Sequence, residues 1–176
     1  MSLEEKLIEK EEIQEKSIEV EIKRLDCIEC EEFQNYIFLR EKYYEEFFRG
    51  MKPSKKRLTN LEIEAVREKD IFLSYILNQN EKIIVGYVSG KEWINRITFQ
   101  KEYLSTHIYV LPNYRSLRIA KKLKEKQIEH AKKTRCERII TTVDKNNIAS
   151  LRLQESLGAK MYLEKSKISY KVEIEL

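Results

Sequence analysis

Three cationic side chains lie where a predicted strand gives way to a predicted helix. The strand ends at Val110, Pro112 breaks it, and Arg115, Arg118 and Lys121 follow at the start of the helix. The first backbone N–H groups of a helix have no acceptor within it, and the helix dipole favours an anion at the same place. A segment of this kind can bind a phosphate or pyrophosphate group.

The surrounding segment is strongly basic. Residues 113–138 hold ten Lys or Arg against three Glu, although the whole chain of 176 residues has a formal net charge of only +4. Such focusing of charge is typical of a surface that docks a polyanion, although a basic helix can also be a solvated face. Clustered cations also suit nucleic acid. Because a phosphate-bearing cofactor at the loop accounts for many of these charges, we do not expect a nucleic-acid partner.

Two motifs in this half of the chain carry a resemblance to a known family. The first is Pro112-x-x-Arg115-x-x-Arg118-Ile119-Ala120-x-x-Leu123, after the strand, and the second is Asn147-Ile-Ala149-Ser150-Leu-Arg-Leu153, which leads to Leu157 and Gly158. In this order, with a helix and a buried strand between them, they resemble the coenzyme A loop and the following Asn-x-Ala-Ser helix of the GNAT N-acetyltransferase superfamily. Arg118 departs from the pattern, because Gly is usual there.

The resemblance implies a GNAT-like α/β sandwich. Its single mixed, mostly antiparallel sheet would have about seven strands, splayed between strands 4 and 5, with helices on both faces. Hydrophobic periodicity independently predicts the order strand, helix, helix, three strands, helix, strand, helix, two strands. The predicted helices cover residues 28–49, 59–67, 117–134 and 148–157. Helices and strands in this order suit one α/β layer structure.

The resemblance also implies that acetyl-CoA is the cosubstrate and that its acetyl group passes to a primary amine of a small molecule or a protein. The backbone of Ile108 and Val110 should pair with the pantetheine arm, and the Val110 amide should polarise the acetyl carbonyl. Residues 116–121 should receive the pyrophosphate. The expected cofactor-binding residues are Ile108, Tyr109, Val110, Arg115, Ser116, Leu117, Arg118, Ile119, Ala120, Lys121, Asn147, Ala149, Ser150 and Leu153.

Proton transfer is harder to assign. A primary amine is protonated at neutral pH, so a proton must leave it, directly or through water. Thr106 stands at an inward position where the family often has Glu or His, and a hydroxyl cannot serve as the base. His107 is adjacent but one residue out of phase, which turns a strand side chain to the other face. The catalytic residues therefore stay unassigned, with His107 and Tyr162 as candidates whose alternative is a structural role.

A second hypothesis follows from the departures from the family pattern. Gln154 stands where the family has a general-acid Tyr, and Gln cannot donate a proton to the leaving thiolate. Together with Thr106 and Arg118, this residue is compatible with a non-catalytic GNAT-fold module that binds coenzyme A or acetyl-CoA.

The rest of the sequence predicts an N-terminal helical extension over residues 1–17 and a single acetyltransferase-like domain over residues 18–176. No signal peptide or membrane-spanning apolar run is evident, so we expect a cytoplasmic protein without a membrane partner. One CxxC, Cys27 to Cys30, lacks a second pair, so we expect thiols and no metal. A homodimer is compatible with the sequence, which does not define the oligomeric state.

The segment 91–103 lengthens the connection between the third and fourth strands. It contains Trp93, Ile94, Ile97 and Phe99. Two interpretations stay open: the segment walls the acceptor site, or it is a longer hairpin packed on its own aromatic residues.

Overall fold

The structure, a computed structural model, describes residues 19–48, 51, 53–78 and 81–176. The strands are β1 (Val20–Arg24), β2 (Asp70–Asn78), β3 (Glu81–Ile94), β4 (Lys101–Val110), β5 (Arg138–Asp144), β6 (Lys160–Leu163) and β7 (Ser169–Glu175). The helices are α1 (Glu31–Phe47), α2 (Lys55–Glu68), α3 (Ile119–Lys133) and α4 (Ile148–Glu155), and a 3₁₀ turn covers Pro112–Tyr114. The predicted helical extension over residues 1–17 lies outside the described residues.

The seven strands form one sheet in the order β1-β2-β3-β4-β5-β7-β6. Every neighbouring pair is antiparallel except β4 and β5, which run parallel. The parallel pairing extends only from Glu102 opposite Arg138 to Leu104 opposite Ile140, whereas β4 continues to Val110. The two strands therefore part after Leu104 and leave a wedge. The predicted mixed sheet, splayed between its fourth and fifth strands, is confirmed.

Helices cover both faces of this sheet because each carries an apolar stripe. On one face, α1 and α2 bury Phe33, Ile37 and Leu58 against strand residues that include Leu73 and Tyr87. On the other face, α3 buries Ile119 and Leu123 against Phe72, Val85 and Val88. Farther along α3, Ala131 packs with Tyr103, Ile139 and Ile174. Each fully buried large apolar side chain contributes about 1.5–3 kcal/mol relative to an exposed one.

Three helix starts differ from the sequence prediction. The helix α1 begins at Glu31 rather than residue 28. The helix α2 begins at Lys55 rather than residue 59, because the Ser54 hydroxyl caps it by accepting from the Arg57 N–H at 3.3 Å. The helix α3 begins at Ile119 rather than residue 117, since Ser116 and Arg118 have positive φ angles of 72° and 57° that no right-handed helix accommodates.

The long connection between the third and fourth strands is a hairpin in which β3 runs to Ile94 and β4 starts at Lys101. Its apolar side chains are exposed: Trp93 by 41%, Ile94 by 62%, Ile97 by 89% and Phe99 by 82%. The hairpin therefore does not pack on its own aromatic residues. Within the described part of the chain, no helix is both long enough and apolar enough to cross a membrane.

Candidate functional site

The wedge between β4 and β5 is lined by backbone groups of β4. The Leu111 N–H donates to the Val85 carbonyl at 2.8 Å, so Leu111 turns its backbone toward β3. Successive residues of a strand turn their N–H and C=O groups to opposite sides. Because β4 pairs with β3 without interruption from His107 to Val110, the N–H and C=O groups of Ile108 and Val110 face the β5 side. They do so beyond the last β4–β5 pair, and thus inside the wedge.

A β-bulge sets the direction of the side chains along β4. Ser89 pairs with His107 and Gly90 pairs with Ser105, so Thr106 is an extra residue in β4. The Thr106 hydroxyl lies 2.9 Å from the Ser89 hydroxyl. The bulge reverses the alternation: Ser105 contacts Lys124 of α3, whereas the His107 ring lies 5.8 Å from the Tyr43 ring of α1 on the opposite face. His107 thus shares the α1 face with Tyr109.

The loop between β4 and α3 places backbone N–H groups at the end of the wedge. Lys122 donates its N–H to the Arg118 carbonyl at 3.1 Å, so the N–H groups of residues 119–121 precede the first intrahelical bond. Arg118, at the N-cap, is in the left-handed region with φ 57° and ψ 14°. A Gly at this position would adopt that conformation without strain, which accounts for the family preference in physical terms. The Ser116 and Arg118 side chains are exposed and Lys121 is half-buried.

Arg115 is held by its own neighbours. Its Nε donates to the Val110 carbonyl at 3.0 Å and its Nη2 donates to a Glu46 carboxylate oxygen at 2.7 Å. Tyr109 donates its hydroxyl to the same oxygen at 3.1 Å, and the Arg115 guanidinium lies 5.7 Å from the Tyr109 ring centre. The hydrogen bond from Arg115 lowers the pKa of Glu46. Arg115 therefore fastens the loop to α1 and to the end of β4, a contact that sequence analysis did not find.

The second motif begins at the N-cap of α4. The Asn147 side-chain oxygen accepts from the Ser150 N–H at 3.1 Å, which uses Asn147 as a helix cap. Ala149 is exposed and Leu153 is half-buried. Gln154 is 1% exposed, and its side-chain oxygen has no hydrogen-bond partner among the described residues.

Of the two catalytic candidates, the structure brings His107 near the strand end. Burial lowers the pKa of His107 to about 4, and the nearby Arg40 and Lys69 cations act in the same direction. The imidazole is therefore neutral at pH 7 but a weak base. Tyr162 is 49% exposed on β6 and pairs with Lys171, and strands β5 and β7 lie between β6 and β4.

Beneath His107 lies a buried polar cluster that sequence analysis missed. Arg40 donates through Nε to Glu62 at 2.7 Å and through Nη1 to the Tyr87 hydroxyl at 2.8 Å. The Tyr36 hydroxyl donates to the other Glu62 oxygen at 2.7 Å. A signal was present, because Arg40 stands four residues after Tyr36 and thus on the apolar stripe of α1. The cluster ties α1, α2 and β3 together.

A second missed group is Lys124 of α3. This lysine is only 2% exposed and donates its ammonium hydrogens to Ser105 and, at 3.1 Å, to the Gln127 side-chain oxygen. Burial lowers the pKa of Lys124 to about 7. Among the described residues no group of three His, Cys, Asp or Glu side chains is arranged to hold a metal ion, and the three cysteines are free thiols.

Comparison with known proteins adds independent findings. Residues 34–159 match the Acetyltransferase (GNAT) family, and no curated protein matches the chain. A solved chain of the NatC complex bound to Gag peptide and CoA is 21% identical with a TM-score of 0.67, over 90% of this chain and 99% of that one.

Two further solved structures cover the same shares of the two chains. A Pyrococcus horikoshii protein is 17% identical with a TM-score of 0.71, covering 90% of this chain and 99% of its own. The PaiA N-acetyltransferase from Thermoplasma acidophilum, in complex with coenzyme A, is 17% identical with a TM-score of 0.64, again over 90% and 99%. At such identities the likeness shows a shared fold. The family match, by contrast, spans more than half of the sequence and includes both motifs, and the chain belongs to the GNAT acetyltransferase family.

Proposed function

We propose that the protein is an acetyl-CoA-dependent N-acetyltransferase whose acceptor is a primary amine of a small molecule or a protein. The observation that carries the proposal is the wedge between β4 and β5, with the Ile108 and Val110 backbone groups turned into it and the N-terminus of α3 at its end. The solved NatC and PaiA structures, both of which contain coenzyme A, support the same class of cosubstrate.

The proposed acetyl-CoA site uses three parts of the chain. The N–H groups of residues 116–121, with the Arg118 and Lys121 cations, would receive the pyrophosphate, as helix N-termini commonly do. The Ile108 N–H and C=O groups would pair with the pantetheine arm. The second motif would line the β5 side of the wedge, through Asn147, Ala149, Ser150 and Leu153. Arg115 would hold the loop in place through Glu46 rather than depend on the cofactor for its own partners.

The Val110 N–H is the proposed oxyanion donor. The Val110 carbonyl already accepts from Arg115, so the N–H is the backbone group of this residue that is left to face the wedge. The amine nitrogen would bond to the acetyl carbon, negative charge would collect on the acetyl oxygen, and the Val110 N–H would stabilise it. The carbon–sulfur bond then breaks, the sulfur leaves as a thiolate, and the proton lost by the nitrogen reaches that thiolate through solvent.

The route of the proton follows from the groups near the strand end. His107 is neutral but a weak base, with a pKa of about 4. Tyr109 donates its hydroxyl to Glu46, and its pKa is raised to about 12, mainly by burial. Glu46 is occupied by Arg115 and Tyr109, and its pKa is lowered. Since each of these side chains is a poor base at pH 7, we propose that water accepts the proton from the amine.

A non-catalytic module that binds coenzyme A is the second candidate. It is favoured by the buried Gln154, which stands where the family has a Tyr and has no proton to give to a thiolate. The two candidates differ in turnover. Release of free CoA thiol with any primary amine eliminates the module, whereas tight acetyl-CoA binding without turnover across a broad amine panel favours it.

Calorimetric titration with acetyl-CoA tests the cosubstrate site. The Arg118→Ala substitution removes a cation beside the proposed pyrophosphate position, so we expect the dissociation constant to rise about two- to fivefold, the loss of one exposed charged contact. Lys132→Ala is the matched control, because Lys132 is an exposed cation at the other end of α3. Equal effects of the two substitutions, or a parent protein that does not bind acetyl-CoA, would contradict the proposed site.

A further inference from the structure

A set of aromatic side chains leads from the end of β4 to the surface of α1. The Tyr43 ring lies 5.8 Å from the Tyr109 ring, 5.2 Å from Phe47 and 5.7 Å from Phe48. Phe47 also contacts Tyr109 directly, at 6.3 Å and an interplanar angle of 83°. These distances are those of ring pairs in contact. We name the four residues Tyr43, Phe47, Phe48 and Tyr109 the aromatic wall.

The outer part of the aromatic wall is exposed although it is apolar. Phe47 is 54% and Phe48 is 37% exposed, and Met51, which follows them, is 73% exposed. Exposed large apolar side chains that form a contiguous surface mark binding sites more often than isolated ones do. The inner end of the wall, Tyr109, is the residue before Val110, whose N–H faces the wedge. The wall therefore reaches the end of β4, from which the Val110 N–H faces the proposed position of the acetyl group.

Two charged groups beside the aromatic wall, Arg40 and Glu46, have partners inside the protein. The Arg40 guanidinium lies 5.1 Å from the Tyr43 ring centre on its buried side and forms an ion pair with Glu62 at 2.7 Å. Glu46 forms an ion pair with Arg115, also at 2.7 Å. Because these two charges are already paired, the surface that the four described side chains of the wall offer to a ligand consists of ring faces and edges. Such a surface binds apolar and aryl groups better than ionic ones.

This inference rests on the proposed function. We infer that the aromatic wall binds the aryl or large aliphatic group of the acceptor, so that the enzyme prefers amines in which such a group stands a few atoms from the nitrogen. The amine then lies toward Val110 and the apolar group lies on Phe47 and Phe48. A short polar amine leaves the wall in contact with water and loses the free energy of burying that surface.

The test compares 2-phenylethylamine with ethylamine, which present the same primary amine with and without an aryl group. We expect kcat/KM for acetyl transfer to be at least about tenfold higher for 2-phenylethylamine, the factor produced by partial burial of one phenyl ring. In Phe47→Ala the preference shrinks through a higher KM for 2-phenylethylamine, while the KM for acetyl-CoA stays constant. Equal kcat/KM values for the two amines overturn the inference.

Phe38→Ala is the matched control. Phe38 lies on the same helix and is 39% exposed, but its ring contacts Lys42 at 5.7 Å instead of Tyr109. Its removal tests whether any exposed Phe of α1 affects the reaction, and we expect parental kinetics. Loss of the aryl preference to the same extent in Phe38→Ala and Phe47→Ala overturns the inference.

A binding measurement separates this inference from the proposed function. Saturation-transfer NMR on the protein in excess CoA detects bound 2-phenylethylamine without any turnover. If the arylamine binds the parent and Phe38→Ala but not Phe47→Ala, the inference holds even when no amine is acetylated, and only the proposed function fails. If amines are acetylated but 2-phenylethylamine shows no binding that depends on Phe47, the proposed function stands and the aromatic wall is not an acceptor site.

Discussion

The His107 imidazole lies on the α1 face of β4, near the buried Arg40 guanidinium, and this position determines its pKa. Burial lowers the pKa to about 4, with Arg40 and Lys69 acting in the same direction. An unfolded chain takes up the proton near pH 6.5, whereas the folded chain takes it up only near pH 4. The unfolded state therefore binds more protons between these values, and the stability contributed by the neutral imidazole is lost as the pH falls through that window.

Proton NMR tests this prediction simply, because the chain has two histidines. We expect the C2–H resonance that disappears in His107→Gln to hold its neutral chemical shift from pH 8 to about pH 5 and to titrate below. A midpoint near 6.5 would show that the imidazole is solvated, and it would restore His107 as a general base suited to neutral pH.

Arg118 adopts a backbone conformation that suits glycine. With φ 57° and ψ 14°, a residue with a Cβ carries strain of about 1 kcal/mol or more, which Gly would relieve. Gly also makes the unfolded chain more flexible, and this entropy offsets part of the stabilisation. We expect Arg118→Gly to raise the free energy of unfolding by about 0.5–1 kcal/mol, which corresponds to about 1–4 °C in Tm for a chain of this size. Differential scanning calorimetry measures this shift.

Arg118→Ala separates backbone strain from charge in the same experiment. Alanine keeps a Cβ in the left-handed region but removes the guanidinium, so its Tm should stay close to that of the parent. If both substitutions raise Tm equally, then Arg118 destabilises the parent through repulsion among the cations of the loop and not through backbone strain.

At the scale of elements, the order of helices and strands was predictable from hydrophobic periodicity, and the position of the wedge from the resemblance. A helix end was predicted correctly where the sequence carries a residue with a clear conformational preference. Gly158, which follows α4, has a φ of 75°, the left-handed conformation that terminates helices. It failed where the signal was weak: Ser54 caps α2 five residues before the predicted start of the helix. The start of α3 was also misplaced, since a non-Gly residue with positive φ leaves no mark in a sequence.

The side-chain geometry of the candidate site could be predicted less well. The face of the sheet on which the His107 side chain lies depends on the bulge at Thr106, and no residue pattern predicted an extra residue in β4. The contact between Arg115 and Glu46 joins residues 69 positions apart, so periodicity carries no information about it. The Arg40–Glu62 pair left a partial trace in the sequence, because Arg40 is a charge on the apolar stripe of α1.

The packing of α3 on β4 gives a prediction about stability and pH. Burial lowers the pKa of Lys124 to about 7, against 10.5 for the unburied group. Between these values the unfolded chain holds a proton that the folded chain has released, so the free energy of unfolding rises with pH, by up to about 1.4 kcal/mol per pH unit. Lys124→Met has similar length and no proton to bind, and we expect it to lack this contribution.

Urea denaturation of the parent and Lys124→Met at pH 7, 8 and 9 measures the difference. The free energy of unfolding of the parent should increase relative to that of the variant at each step, since other titrating groups are common to both. Parallel pH dependence in the two proteins would mean that Lys124 stays charged in the fold, stabilised by Ser105 and Gln127.

At the scale of the whole molecule, the wedge divides the sheet into two halves, β1 to β4 and β5 to β7, that are joined only where β4 pairs with β5. Only three residue pairs join β4 to β5. Around these pairs, Arg138 donates to Glu102 through Nε at 2.9 Å, and Ile139 and Ile174 pack with Tyr103 and Ala131. The junction is therefore held on one face by an ion pair between the half-buried Arg138 and the buried Glu102, and on the other face by an apolar cluster. We expect the two halves to unfold as one cooperative unit.

The predicted domain of residues 18–176 can be tested by truncation. β1 starts at Val20 and pairs with β2 along all five of its residues, and the Leu25 N–H donates to the Ile71 carbonyl at 2.8 Å. A chain of residues 18–176 keeps these contacts, so we expect one cooperative transition, a Tm within about 2 °C of the full chain and the same affinity for acetyl-CoA.

A chain of residues 25–176 is the matched control, because it loses β1, exposes the edge of β2 and should be destabilised. If the shorter deletion already lowers Tm or weakens acetyl-CoA binding, residues 1–17 are part of the cooperative unit, and the domain boundary predicted at residue 18 is wrong.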